Sequence, residues 1–200
     1  MERTRGAGER DREPVARLLH EVFRDDPVSR WLFPEEAERE ARHPLVFRAF
    51  LDTALAHGTV ELTGDEGGPV TGAALWFAVA GGELAGGEPL GKLIAAAAPG
   101  NERLAAMGGL TGERHPMAED HAYLQAIAVT PGRRRRGLGS ALLAPMLERC
   151  DARGLPAYLE ASSPGSRELY LGLGFTGLGP PLQLPDGPPM WPMWRPASGS

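Results

Sequence analysis

Apolar positions along the chain alternate between two periods, and the changes of period mark the elements. Val15, Leu18, Leu19, Val22 and Phe23 fall at i, i+3, i+4, i+7 and i+8, the stripe of one helix face. Asp11 stands at the N-cap position and Pro14 in the first turn, so the spacing predicts a helix that ends near Asp25-Asp26-Pro27. A second helix follows, with Leu45, Val46, Phe47, Phe50, Leu51, Ala54 and Leu55 directed inward, and Gly58 stops it. "GTVELT", the turn "GDEGGP" and "VTGAALWFAV" then read as a β-hairpin. Residues 81–119 are helical in propensity, broken by glycines and Pro99. "HAYLQAIAV" is a strand, "GLGSALLAPMLERCDARG" a helix closed by Gly154, "PAYLEAS" a strand and "SRELYLGLG" a short helix. The last apolar run, "PMWPMWR", predicts an edge strand, because Pro192 cannot donate to a central ladder.

The order implies an antiparallel first half and a parallel pairing across a helix in the second, a mixed α/β sheet. Two hundred residues suit one domain, taken as 1–196 with a frayed tail at 197–200. "MERTRGAGERD" is so poor in apolar residues that a first strand is short or absent. The net charge of -5 argues against wholesale binding to nucleic acid or an anionic membrane. No apolar run has signal-peptide or membrane-spanning length, which points to the cytoplasm. Cys150 is the sole cysteine, so no intramolecular disulfide or thiolate metal cluster forms, and no metal is expected. It reads as a small hydrophobe on a helix.

Against this acidic background stands "RRRRGLGS", Arg133 to Ser140, between the strand "AIAV" and the helix "SALL". A strand that passes through a glycine-containing loop into a helix leaves backbone N–H groups unpaired at the positive end of the dipole, which suits phosphate. The run is neither a Walker A loop nor a complete dinucleotide fingerprint. Arg134-x-x-Gly137-x-Gly139 matches the Q/R-x-x-G-x-G/A signature of the GCN5-related N-acetyltransferase (GNAT) superfamily. About 30 residues on, Tyr170 precedes Gly174-Phe175 by four, the second landmark of that superfamily. "DDPVSRWLFP", "AALWF", "RHPMAEDHAYLQAIAV", Pro145, "LPAYLEASSP" and "LPDGPPMWPMW" further resemble the puromycin N-acetyltransferase branch.

The resemblance implies a mostly antiparallel sheet, splayed around an acetyl-CoA site, with helices on both faces. It implies that Ile127, Ala128 and Val129 bond the pantetheine arm as an added strand. It places the pyrophosphate on Arg134, Arg135, Arg136, Gly137, Leu138, Gly139 and Ser140, with Arg133 and Arg135 directed more to solvent. Ser166 stands where the superfamily often has an asparagine near the cofactor. Tyr170 becomes the candidate acid for the departing thiolate, protonated at neutral pH because a phenol's pKa is about 10. The acceptor amine needs a base, since an alkylamine of pKa about 10.4 is almost wholly protonated at pH 7. Glu160 is the first candidate, with Glu61 and His121 behind it. Tyr123 and Gln125, read as sharing a strand face with Ile127, line the site or hold a water. Trp31, Trp76 and, with a stronger core reading, Phe33 are candidates for the acceptor pocket. Asp25 and Asp26 attract a cationic amine or simply end a helix. The expected partner is a small-molecule amine, antibiotic-like or aminoacyl, acted on by a monomer or homodimer. The competing readings are a non-catalytic binder of acyl-CoA or nucleotide phosphate, and a nucleic-acid module built on the arginines. The second lacks both a basic domain and aromatics near the run.

Overall fold

The computed structural model describes residues 3–64, 68–133 and 136–198. Its strands are β1 (Arg3–Gly6), β2 (Thr59–Gly64), β3 (Val70–Ala80), β4 (Glu83–Leu84), β5 (His121–Val129), β6 (Ala157–Ala161), β7 (Thr176–Gly177), β8 (Leu182–Gln183) and β9 (Pro189–Arg195). The helices are α1 (Arg12–Phe23), α2 (Pro27–Leu32), α3 (Glu36–His57), α4 (Gly87–Ala97), α5 (Glu102–Arg114), α6 (Leu138–Arg153) and α7 (Pro164–Leu171). The sheet runs β1-β2-β3-β5-β6-β9-β7, with β4 on β3 and β8 on β9. Every pairing is antiparallel except β5 with β6, joined across α6.

Helices cover both faces, and each face has its own core. Leu18, Leu19, Phe33, Val46, Phe50 and Leu51 pack with Leu62, Leu75 and Phe77 on the first. Leu142, Leu143, Leu147 and Cys150 of α6 pack with Trp76, Leu124 and Leu159 on the second. Cys150 is buried and its thiol is pushed up by that burial, so it serves as packing. Among the described residues no helix is long and apolar enough to cross a membrane.

Several elements depart from the sequence pattern. Asp11 does precede α1, but it makes no side-chain cap there; its carboxylate instead takes two bonds from Arg5, at 2.6 and 2.8 Å, and one from the Gly8 amide. The motif "DDP" does more than end a helix: Asp26 Oδ1 accepts from Val28 N at 2.9 Å, and Pro27 opens the short α2. Leu45 is 52% exposed, because α3 presents Val46, Phe50 and Ala54 to the core. The polar N-terminus does form a strand, β1, paired with β2. Pro145 leaves the Ala141 carbonyl without its helical donor, and Thr4 Oγ1 of β1 donates to it at 3.2 Å. β9 is no edge strand: it lies between β6 and β7. Pro192 O accepts from Leu178 N, so the missing N–H faces the side of two-residue β7 and the β6 ladder is untouched.

Candidate active site

The centre of the site is a place where two strands part. β5 and β6 pair at Ala122↔Ala157, Tyr123↔Tyr158 and Leu124↔Leu159, and no further. Directly beyond, Leu124 faces Trp76 of β3 while Ala126 faces Leu75, so Gln125 is an unpaired extra residue. Such a bulge bends the strand and adds twist, and here it turns β5 away from β6. It also reverses the alternation. Tyr123, Ala126 and Ala128 enter the first core, whereas Leu124 belongs to the second, with Ile127 and Val129 packed against it. Tyr123 therefore does not share a face with Ile127, contrary to the simple period-two reading.

The bulge leaves the far part of β5 with β3 as its ladder partner and the cleft on its other edge. Thr130 N donates to Thr71 O at 2.9 Å. Counting back along an antiparallel ladder, Ala128 and Ala126 also turn their peptide groups to β3, and Ile127 and Val129 turn theirs to the cleft.

At the outer end of this edge α6 begins. Gly137 is its N-cap at a φ of 77°, a conformation that favours glycine, and no side chain caps the helix. The amides of Leu138, Gly139 and Ser140 have no acceptor within the helix, and they carry the positive end of its dipole. Gly139 is small for another reason: a Cβ there would stand 2.9 Å from Leu169 Cδ2, so it lets α7 close on α6. Arg136 is exposed beside this end. Arg133, expected in solvent, is half-buried, and its amide donates to Thr130 O at 2.8 Å. Arg134 and Arg135 lie outside the described residues.

Inside the cleft is a cavity of about 150 Å3. β5 supplies Leu124 to Ile127, β6 and α7 supply Glu160, Ser162, Ser166 and Tyr170, and the helices on the first face close it. That closing wall is largely apolar and strongly aromatic, with Phe23, Phe33, Phe47, Phe50, Leu32 and Met107, interrupted by Asp26, Ser29 and His43; Met190 of β9 adds to it. Met107 and Leu104 come from α5, so part of the segment 81–119 does cover the cavity. Tyr170 is packed in the second core yet lines this cavity, which shows that the gap passes through the sheet.

Glu160 Oε2 accepts from the Tyr123 hydroxyl at 2.9 Å, while Oε1 is sealed from solvent and has no hydrogen-bond partner. Burial pushes this carboxyl up to about 7, opposed by the Tyr123 bond and by the Tyr158 hydroxyl beside it. Tyr123 thus lies behind Glu160 and is absent from the cavity wall. Burial likewise pushes the Tyr170 phenol up, and the Asp26 charge adds to this. Asp26 faces the cavity and accepts from Ser162 Oγ at 3.0 Å. Ser166 also faces it, but its hydroxyl is engaged at the start of α7, donating to Ser163 O at 2.9 Å and accepting from Ser163 N. On the opposite wall His43 lies beside Ser29, and burial, with His20 next to it, lowers its pKa to about 4.

The two tryptophans expected in the acceptor pocket do not line this cavity. Trp31 donates from Nε1 to Pro185 O at 2.8 Å and fixes α2 to the loop before β9. Trp76 packs against α6 in the second core, on the other face of the sheet. Phe33, read more strongly as core, lines the cavity, as does Gln125. Glu61 is tied to Arg149 at 2.6 Å, and His121 is bonded to His115 and the Glu119 carbonyl, so neither faces the cavity. The sequence marks Phe23, Phe47 and Phe50 only as inward-facing helix positions, because their spacing is that of any core, and nothing in it singles out His43. Among the described residues no group of three or more His, Cys, Asp or Glu side chains is placed to hold a metal ion.

A strand that parts from its neighbour and runs up to a helix N-terminus with no side-chain cap suits a substrate with an amide-bearing arm and a phosphate terminus, the shape of coenzyme A. The class so defined is the coenzyme A-dependent acyltransferases. The acetyltransferase (GNAT) family model matches residues 15–175, and the chain belongs to that family. A histone acetyltransferase HPA2-related acetyltransferase from Corynebacterium glutamicum superimposes with a TM-score of 0.72 at 26% identity, over 100% of this chain and 98% of that one. Arylalkylamine N-acetyltransferase 2 from Aedes aegypti gives 0.72 at 18% identity, over 98% and 99%. A phosphinothricin acetyltransferase from Sinorhizobium meliloti, in complex with AcCoA, gives 0.57 at 19% identity, over 100% and 90%. The protein is an acetyltransferase of this fold.

Proposed function

We propose that residues 1–196 form one domain that moves the acetyl group of acetyl-CoA to the primary amine of a small molecule by direct attack in a ternary complex. The observation that carries this is the joint placement of Glu160 and Tyr170 on one cavity beside β5, at the point where its pairing with β6 ends. Acetyl-CoA supplies the activated acetyl thioester. The peptide groups of Ile127 and Val129, with Ala128 holding the strand on β3, orient its arm and polarise the carbonyl. The amides of Gly137, Leu138, Gly139 and Ser140 receive the pyrophosphate, with Arg134, Arg135 and Arg136 supplying charge around it. Ser166 supports the pantetheine side by fixing the start of α7.

Glu160 takes the proton of the acceptor ammonium. Its rise from the ordinary carboxylate value of 4.5 to about 7 lowers the cost of accepting that proton by about 3 kcal/mol. Tyr170, held protonated, donates to the departing thiolate. Asp26 draws the cation in, and Gln125 lines the approach.

The aromatic wall narrows the acceptor. An apolar cavity of about 150 Å3 takes one benzene-sized ring. A monoamine with a compact apolar or aromatic body fits better than a polyamine, whose further charges would meet Phe23, Phe47 and Phe50. An aminoacyl or antibiotic-like amine, as the resemblance to the puromycin N-acetyltransferase branch implies, meets this description. The test is calorimetric titration with acetyl-CoA, followed by thiol release with phenethylamine, an aromatic amino-acid amide, puromycin and spermidine. Micromolar binding of acetyl-CoA and turnover of the aromatic amines are expected. Absence of acetyl-CoA binding overturns the proposal, and turnover of spermidine alone overturns the acceptor class.

A further inference from the structure

A chain of bonded groups leads out of the cavity on the wall opposite Glu160. Ser29, on α2, lines the cavity. Its Oγ lies 3.1 Å from His43 Nε2, on α3. His43 Nδ1 lies 3.1 Å from His20 Nδ1, on α1. His20 keeps 20% of its side chain exposed, and its Nε2 stands 3.5 Å from Glu40 Oε2 at the surface. Ser29 and His43 are themselves buried. Three helices thus contribute one group each to a line that begins at the cavity and ends in water.

The reaction needs such a line. An acceptor enters as an ammonium, and the amide and the thiol leave neutral, so each turnover releases one proton. On the Glu160 side, the Tyr123 hydroxyl donates a hydrogen bond to the carboxylate, and the neighbouring His115 meets Tyr123 edge-on with its ring. No hydrogen bond from Tyr123 to His115 continues that line.

We propose that Ser29, His43 and His20 form the path by which this proton leaves the acceptor cavity. The inference rests on the reading of that cavity as the acceptor site. The hops balance as follows. The proton that the amine sheds as it becomes an amide adds to Ser29 Oγ as the Ser29 hydroxyl proton passes to His43 Nε2, while the proton taken by Glu160 replaces the one that Tyr170 gives to the thiolate. The proton on His43 Nδ1 passes to the lone pair of His20 Nδ1, and His20 releases the proton on Nε2 to water beside Glu40. Rotation of the hydroxyl and a half-turn of each imidazole ring reset the line. The contact between two Nδ1 atoms requires that one carry a proton and the other not. Burial keeps His43 from storing a charge, so it passes protons and does not hold them. The charged groups around the pair are Arg24 at the end of α1 and Arg39 and Glu40 on α3, with Glu36 and Glu40 both paired to Arg24. Those pairs leave the exit at His20 close to neutral. His20 and His43 act through Ser29 and the cavity, and are positioning residues for proton movement.

The same contacts would also arise from a polar pin between three helices, so the test must separate the two. His20→Gln keeps an acceptor for His43 Nδ1–H but cannot pass a proton on. With an amine that the wild type acetylates, kcat should fall at least about tenfold, the low side of what proton-transfer groups contribute. KM and acetyl-CoA affinity should hold, the solvent isotope effect on kcat should rise, and imidazole in the buffer should restore the rate. An unchanged kcat and isotope effect, or a loss that imidazole does not restore, overturns the path. Full activity in Glu160→Gln with loss in His20→Gln removes Glu160 as base and leaves the path standing. Nitrogen-15 spectra of the histidine rings decide the matter without any acceptor. A downfield ring N–H that vanishes in both His20→Phe and His43→Phe, and exchanges with water faster than the protein unfolds, is expected. Its absence, or exchange at the unfolding rate, overturns the path even if no amine is turned over.

Discussion

Glu160→Gln should stabilise the protein in alkaline solution while it removes activity. In the native state the carboxyl is raised from 4.5 to about 7 by burial, so the native chain binds its proton more tightly than the unfolded chain does. Between those two values the native state still holds a proton that the unfolded chain has lost. Stability therefore falls as pH rises through this window, and above about 7 the whole penalty is present. Its size is about 3 kcal/mol, from 1.36 kcal/mol for each pKa unit. Glutamine carries no such charge. It can keep the Tyr123 bond to its carbonyl oxygen, but its amide group enters the place of Oε1, which has no partner, at a pH-independent cost of about 1–3 kcal/mol. The diagnostic quantity is thus the change with pH of the stability difference between variant and wild type. Urea unfolding at pH 4 and pH 8 should show that difference move by about 3 kcal/mol in favour of the variant, or roughly 6–12 °C in Tm for a chain of this length. Parallel stability curves at the two pH values would refute a buried, raised carboxyl. In the wild type, kcat/KM should rise through pH 7 as Glu160 ionises, and that limb should be missing from the residual activity of the variant.

The other predictions concern single elements of the site. Tyr170→Phe should lower kcat by about 10²–10³ and leave the acetyl-CoA affinity unchanged in calorimetry, since it removes a proton donor and little volume; equal losses in both would point to a packing role. Gly137→Val should cost about 1–3 kcal/mol in thermal unfolding, because valine is placed at a φ of 77°, and should abolish acetyl-CoA binding. Phe47→Ala should raise KM for aromatic amines at least about tenfold, as a lost aromatic wall contact of this size implies, whereas Trp76→Phe should leave KM unchanged because Trp76 packs on the opposite face. The reverse ranking in steady-state kinetics would restore Trp76 to the pocket.

Much of the frame was legible in the sequence because it depends on neighbours in the chain. The stripe from Val15 to Phe23, the hairpin strands, the strand from His121 and the helix closed by Gly154 all recur as elements. So does the glycine-bearing start of α6, where the φ of Gly137 is a local property. The exceptions are set by packing instead. Leu45 belongs to an apolar run wider than the face α3 buries, and the polar β1 is held by β2 and by the carbonyl that Pro145 leaves free.

The candidate site was legible only in part, for a different reason. Tyr170 and Glu160 stand out by residue type and by their distance from a motif, and the structure brings both to one cavity. What period-two reasoning could not supply was the bulge at Gln125, which arises from the register between β3 and β5. That single unpaired residue parts β5 from β6, moves Tyr123 behind Glu160, and opens the gap through which Tyr170 reaches the cavity. The aromatic wall follows the same logic. Phe23, Phe33, Phe47 and Phe50 have the spacing of ordinary core residues, and Trp31 and Trp76 have the side chains of a binding site, yet packing exchanges their roles. By itself the sequence determined the elements, the glycine-bearing helix end and the two chemical candidates, since these depend on backbone propensity and residue chemistry within short stretches. The tertiary structure alone decided where the sheet opens, which aromatics face the opening and what value the Glu160 carboxyl takes. Those depend on strand register and on burial, and both are set by groups distant in the chain.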